Sequence, residues 1–204
     1  MADLRGSWDL LVEEACSVSS FAVELAALGE DELDGLIAFL ARHPSLSFRY
    51  LSVHAPVKGR RMPEAELVAR LSELPRSVDA IVVHPDLIQE PAAYRPLGRR
   101  LAIENMDDRK PTGQLAAELE PLFEELPDAG FCFDIAHAWA IDPSMAAGEE
   151  LLDRLRCRLR HLHVSSLVDG EHVSLTAEHE RLFAPLLRRC VDVPWILEAP
   201  PPGD

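Results

Sequence analysis

The sequence predicts an α/β fold, a shortened (β/α) barrel in which helices alternate with the strands of a parallel sheet. Three observations predict it. Six short apolar runs each end on a metal-capable side chain: Val53-His54, Val83-His84, Ile103-Glu104, Phe133-Asp134, Leu162-His163 and Leu197-Glu198. The six terminal residues are separated by 30, 20, 30, 29 and 35 positions, and a strand, a helix and two loops take about 30 residues. The runs are apolar nearly throughout, as strands covered on both faces must be. In a TIM-type barrel the C-terminal strand ends converge on one rim, where active sites sit. Three His, two Glu and one Asp would then surround a common centre.

Each element can be justified in turn. Trp8–Val18 places Leu10, Leu11, Ala15 and Val18 at helical spacing, with Ser7 positioned to cap it. Residues 21–25 form a short strand carrying Glu24, and 31–42 the next helix. Residues 48–54 are a strand closed by Ala55-Pro56, and 64–74 a helix. The all-apolar run 80–84 is a strand stopped by Pro85. Pro91 and Pro96 allow only a short or broken helix within 86–99, which accounts for the one 20-residue interval. Strand 101–105, amphipathic helix 112–126, strand 130–135, helix 143–156, strand 159–165, helix 177–190 and strand 194–199 complete the pattern. Seven strands are evident, not eight. Residues 1–6 are too polar and short for a first strand, and the tail 199–204 (APPPGD) adds no last helix. The expected barrel lacks both, or a partner supplies them.

The bulk numbers narrow the function classes. One domain spanning 1–204 is expected, with 48% hydrophobic residues to fill its core. About 250 residues is typical of a barrel. The net charge of −15, from 20 basic against 35 acidic residues, works against binding nucleic acid. Cys16, Cys132, Cys157 and Cys190 have no C-x-x-C spacing and read as reduced, buried thiols. With no apolar leader and no run long enough to span a bilayer, a cytoplasmic protein without membrane contact is expected. Phosphate-binding Gly-rich loops and the G-x-S-x-G elbow are absent.

The chemistry concentrates at the strand ends. Divalent metals need deprotonated, oriented N and O donors, and imidazole mixed with carboxylate suits Zn, Mn or Fe. Glu104, Asp134, His163 and Glu198, each after an apolar strand, make a complete set with room for water or substrate. His137 adds a donor three residues beyond the end of its strand. In His161-Leu162-His163 both imidazoles share one strand face; His163, nearer the rim, is the better ligand, and His161 is a hydrogen-bonded core residue. His172 lies in a loop, His179 on the exposed side of a helix start, and His43 at a helix C-terminus facing the dipole. The basic stretch 95–100 reads as a solvated helix end. Lys58, Arg60 and Arg61 read as an exposed loop, with contact to an anionic substrate group as the lesser alternative.

At these residues the chain resembles the xylose-isomerase-like TIM-barrel superfamily, which includes sugar isomerases and epimerases, hydroxypyruvate isomerases and endonuclease IV. The matching pieces are VHAP (53–56), VVHPD (82–86), LAIENM (101–106), FCFDIAHA (131–138), HLHVSS (161–166) and ILEAP (196–200), with FAVEL (21–25) as a further strand. The resemblance implies that Glu104, Asp134, His163 and Glu198 hold a catalytic divalent metal (Zn, Mn or Mg). It also implies that Glu104 and Glu198 act as an acid/base pair on a sugar or sugar-like hydroxy-carbonyl substrate. In the endonuclease IV branch further ligands build a multinuclear zinc phosphodiesterase site; their positions match His54, His84, His137 and His172. That branch has an Asp where this chain has Gly170. After HLH the isomerases often carry a charged substrate contact, where this chain has Val164-Ser165-Ser166. A third reading is a non-catalytic shortened barrel that binds a metal or metabolite, or a subunit whose open edge a second copy or a partner covers.

Overall fold

A computed structural model describes residues 6–199; the stretches 1–5 and 200–204, on which the missing first strand and last helix chiefly bear, lie outside the described residues. Seven parallel strands share one sheet whose order follows the chain, and two short strands form a separate antiparallel hairpin. With helices between the strands this is the α/β class expected, a shortened TIM-type barrel. Among the described residues, no helix is long and apolar enough to cross a membrane. Contacts gather into two compact units: residues through 83 with 87–102 and 125–129, and 84–86 with 103–124 and 130 onward.

The first unit holds β1 (Ala22–Ala26), β2 (Tyr50–His54) and β3 (Ala80–Val83), with α1 (Trp8–Val18), α2 (Glu30–Arg42), α3 (Glu64–Ser72) and α4 (Pro91–Tyr94). Strand β2 pairs in parallel with β1 (Val23↔Leu51) and with β3 (Val53↔Ile81). Helix α2 buries Leu33, Leu36, Ile37 and Leu40, spaced as one apolar stripe, and its first turn is acidic (Glu30, Asp31, Glu32) as the helix dipole favours. His43 ends it, its Nδ1 2.8 Å from the Phe39 carbonyl. Ser7 makes no side-chain cap bond, contrary to expectation. Helix α1 is instead held through Trp8, whose Nε1 donates to the Ala26 carbonyl at 3.3 Å. Gly35 makes room for that indole, since a Cβ there would lie 2.9 Å from the ring. The Pro-rich stretch after β3 forms only the four-residue α4 and short 3-10 turns, as its prolines dictate.

The second unit begins its own strands with the last two residues of β4 (Leu101–Glu104), followed by β5 (Gly130–Asp134), β6 (Leu159–Val164) and β9 (Trp195–Leu197). A register shift between Phe131 and Cys132 decides the site. Phe131 pairs with Leu159, Cys132 with His161, and Asp134 then stands beside His163. Strand β6 pairs with β9 on its other side, His163 beside Ile196. Helix α5 (Ala116–Glu125) starts four residues later than expected. Gly113 accounts for part of the delay: its φ is +90° and a Cβ would meet Pro85 at 2.2 Å, so a helix cannot run through it.

Two features of this unit go beyond the expected elements. Helix α6 (Ile135–Ile141) follows β5 without a loop and precedes α7 (Ala146–Leu155). Strands β7 (Ser166–Val168) and β8 (Glu171–Val173) form the hairpin, turning on Asp169 (φ 52°) and Gly170 (φ 79°). Thr176 caps α8 (Ala177–Arg188) by accepting from the His179 N–H at 3.1 Å. His179 is buried, not exposed: its ring stacks on Phe183 and its Nδ1 lies 2.8 Å from the Ser166 hydroxyl. All four cysteines are free, but only Cys132 and Cys190 are buried; Cys16 and Cys157 are exposed, correcting the expectation for those two.

Candidate metal centre

The second unit brings Glu104, Asp134, His163 and Glu198 together. Each offers one donor atom, and the four atoms all lie within 4.8 Å of one another. Their placement follows from strand chemistry. Each of the four lies within one residue of the end of an apolar strand, and parallel register sets neighbouring strand ends side by side. His163 Nδ1 is 3.0 Å from Glu104 Oε1 and 3.1 Å from Glu198 Oε1. Glu104 Oε2 lies 3.2 Å from His84 Nε2. Glu104, Asp134 and His163 are buried, whereas the Glu198 side chain is 20% exposed. Glu198 is therefore the carboxylate of this set most open to an incoming molecule.

Asp134 has two jobs. It closes β5 and caps α6, its Oδ1 accepting from the His137 N–H at 2.8 Å. That cap fixes His137 at the third position of the helix and turns its Nδ1 to within 3.4 Å of Asp134 Oδ2. The Oδ2 atom is buried without a hydrogen-bond partner. Such an atom is costly unless a proton or cation meets it. His172 arrives from β8, with Nδ1 2.7 Å from the Ser165 hydroxyl and 2.9 Å from Glu198 Oε2. The His137 and His172 rings meet edge-on at 5.2 Å. Asp134, His137 and His172 also offer donors within 4.8 Å of one another.

Two residues absent from the sequence reading hold this arrangement. Asn105 bonds the Asp134 backbone on both sides, its Nδ2 donating to the carbonyl at 2.9 Å and its Oδ1 accepting from the N–H at 2.8 Å. Its own carbonyl lies 2.9 Å from His137 Nδ1. Asp107, 2% exposed, stands 3.8 Å from His137 Nε2 and is gripped by Arg109. Burial pushes the Asp107 carboxyl up, but the Arg109 bonds and the His137 charge bring it below its ordinary value. Nearby, Lys110 Nζ is 3.0 Å from Asp86 Oδ2.

The remaining candidates sort by unit. His84 lies beside Asp86 and Glu104 in the second unit. His54 belongs to the first, at the end of β2, buried, with Nδ1 3.0 Å from the Ala55 carbonyl. His161 is fully buried at the level of Cys132, one step down β6 from His163. Lys58 pairs through its backbone with Gly29, and Arg60 is largely covered, 3.9 Å from Glu30. Neither lies in the second unit.

Electrostatics marks the centre as short of positive charge. Burial, reinforced by Glu198 and Glu104 and opposed by His137, pushes the Asp134 carboxyl up to about 7. Burial works against charging His172, yet the neighbouring Glu198, Asp134 and Glu104 overcome it and lift that imidazole to about 9. His137 is raised in the same way, against burial, by Asp134, Glu104 and Glu198. Burial pushes Glu198 up, but His163 and His172 hold it well below the usual carboxylate range. A divalent cation would replace the protons these groups retain. The donor set and the orphaned Asp134 oxygen fit one.

No protein-family model matches this sequence, and no curated protein matches it. Solved structures do. The chain is similar to endonuclease IV from Thermus thermophilus at 19% identity, over 90% of this chain and 93% of that one, with a TM-score of 0.57. It is similar to D-psicose 3-epimerase with D-tagatose from Clostridium cellulolyticum H10 at 13% identity, over 95% and 79%, with a TM-score of 0.52. D-allulose 3-epimerase from Methylomonas sp. follows at 15% identity, over 85% and 72%, with a TM-score of 0.53. All three neighbours are enzymes by name. At such identities the likeness shows the fold alone, that of a TIM-type barrel.

Proposed function

We propose that this chain is a divalent-metal-dependent isomerase or epimerase of a small sugar-like hydroxy-carbonyl compound. The observation that carries the reading is the convergence of three carboxylates and one imidazole, Glu104, Asp134, Glu198 and His163, with donor atoms within 4.8 Å of one another. These four would hold the metal, which would be Zn, Mn or Mg. A bound divalent ion supplies Lewis acidity, polarising adjacent substrate oxygens and acidifying the proton between them.

The chain's own residues do the rest. Glu198, the more exposed of the two glutamates, takes the carbon-bound proton. Its low proton affinity keeps it ionised for that task. Glu104 returns a proton to the other face or the neighbouring carbon, with His84 and His163 against its two oxygens to relay charge. His172 and His137 line the approach and bind substrate hydroxyls. Burial of Glu104, Asp134 and His163 keeps water from competing for the donors.

A second reading has its own observation. The further grouping of Asp134, His137 and His172 suits a multinuclear site of the phosphodiesterase kind, for which endonuclease IV is the structural neighbour. The net charge of −15 opposes a nucleic-acid substrate and favours a small phosphoester within that reading. Metal stoichiometry and isotope exchange separate the two. With Mn or Zn loaded, about one ion per chain and deuterium uptake from solvent into a ketose panel is the expected result. Two or three ions, release of phosphate esters and no deuterium uptake would overturn the isomerase reading.

A further inference from the structure

The β7–β8 hairpin delivers His172, yet two three-residue strands are too short to hold a fixed position by themselves. Its base is tied: Ser165 meets His172, and the Ser166 hydroxyl accepts from the Thr176 N–H at 3.0 Å. Its tip is tied by a different part of the chain. Arg109 Nη1 donates to the Gly170 carbonyl at 2.6 Å. The same guanidinium donates through Nε to Asp107 Oδ2 at 2.8 Å, with Nη2 on the same oxygen, while the Arg109 backbone N–H donates to Asp107 Oδ1 at 3.0 Å. Asp107 is almost fully buried, so this anchor is rigid.

Gly170 completes the fit. Its φ of +79° suits the tight turn, and a Cβ there would lie 2.7 Å from Arg109 Nη1. Any side chain at 170 would displace the guanidinium from the carbonyl. The arginine is half-exposed, yet each of its three nitrogens has a partner, which sets it apart from a freely solvated surface cation.

From this geometry we infer that Arg109 is a positioning residue: bolted to Asp107, it clamps the hairpin tip so that His172 stays against Glu198. The inference rests on the proposed cation centre for its consequence, since His172 also lies beside His137 and offers a donor there. Arg109, five places after Glu104, thereby fixes an imidazole that follows β6. A lysine could not replace it, because one ammonium cannot span both the Asp107 carboxylate and the Gly170 carbonyl as a planar fork does.

The test combines cobalt(II) titration, read by visible absorption and calorimetry, with hydrogen exchange of residues 166–173 on the full chain. Arg109→Ala is expected to weaken cobalt binding about 10–100-fold and to speed exchange across 166–173 selectively. Arg109→Lys should recover little of either. In a His172→Ala background, Arg109→Ala should add less than about twofold, because both substitutions remove the same support of Glu198. Cobalt affinity unchanged in Arg109→Ala, or reduced equally with and without His172, would overturn the clamp. If the unaltered chain bound no cobalt, the proposed centre would fall and exchange would decide the clamp alone. Unchanged exchange at 166–173 would then refute it, and selective acceleration would sustain it.

Discussion

Carboxylates serve opposite ends in the two units. In the first, Glu64, Glu30 and Asp79 are each answered by hydrogen-bond donors. Glu64 accepts from the backbone N–H groups of Gln89 and Glu90 at 2.8 and 2.7 Å. Glu30 accepts from those of Arg61 and Met62, and Asp79 from that of Leu51. In the second unit Glu104, Asp134 and Glu198 face imidazoles and one another, with one Asp134 oxygen unanswered. A carboxylate matched to N–H groups fastens a loop and has no further need. Crowded together, Asp134 and the neighbouring His172 hold protons in place of a cation, and they sit at about 7 and 9.

The sharpest way to break this contrast is to remove a donor. His163→Ala or Asp134→Ala should lower manganese or cobalt affinity at least about 100-fold, because even indirect supports of such ligands cost 10–100-fold. Glu30→Gln should leave that affinity unchanged. Calorimetric titration reads both. Equal binding by all the variants would make the second unit's carboxylates as structural as the first's.

Asn105 comes next. Asn105→Ala leaves the buried N–H and carbonyl of Asp134 without their partners, a loss of about 2–4 kcal/mol in denaturant unfolding, with weaker metal binding as Asp134 drifts. Asn105 also shows where sequence reading stops. The strands were legible because apolar runs ended on single polar donors, and parallel register does the rest at Asp134 and His163. Helix α6 was not, because Asp134 ends the strand and caps the helix with no loop residue between. The Asp169-Gly170 pair was a readable turn signal, but strands of three residues gave it too little alternation to stand out. Asn105, Asp107 and Arg109 act on partners 29 to 61 positions away, or through a neighbour two residues off, and no spacing rule announces that. Buried His179 misled because its partner Ser166 is supplied by the unforeseen hairpin.

Acidity sharpens the comparison further. Metal must displace the proton on His172 below about pH 9, and that on Asp134 as well below about pH 7. Affinity should therefore rise about tenfold per pH unit between 7 and 9, and more steeply below 7. Without metal the sign reverses. Both groups bind protons more tightly folded than unfolded, so their contribution to stability is full at low pH. The Asp134 part is lost as pH rises from about 3.8 through about 7, and the His172 part from about 6.5 through about 9. Thermal unfolding of metal-free protein should accordingly fall from pH 7 to 9 while that of metal-loaded protein does not. A metal affinity flat across that range would mean the two protons are not where the cation goes.

The smallest effect belongs to the first unit. Glu64→Gln keeps an acceptor but loses the charge that strengthens its two bonds to the Gln89 and Glu90 N–H groups. Those bonds are solvent-exposed, so the cost should be about 1 kcal/mol in unfolding free energy. Metal affinity and its pH dependence should both stay as they were. The two readouts together decide the point: a stability loss without a binding change marks a fastening carboxylate, whereas a binding change from Glu64 would erase the division of labour between the units.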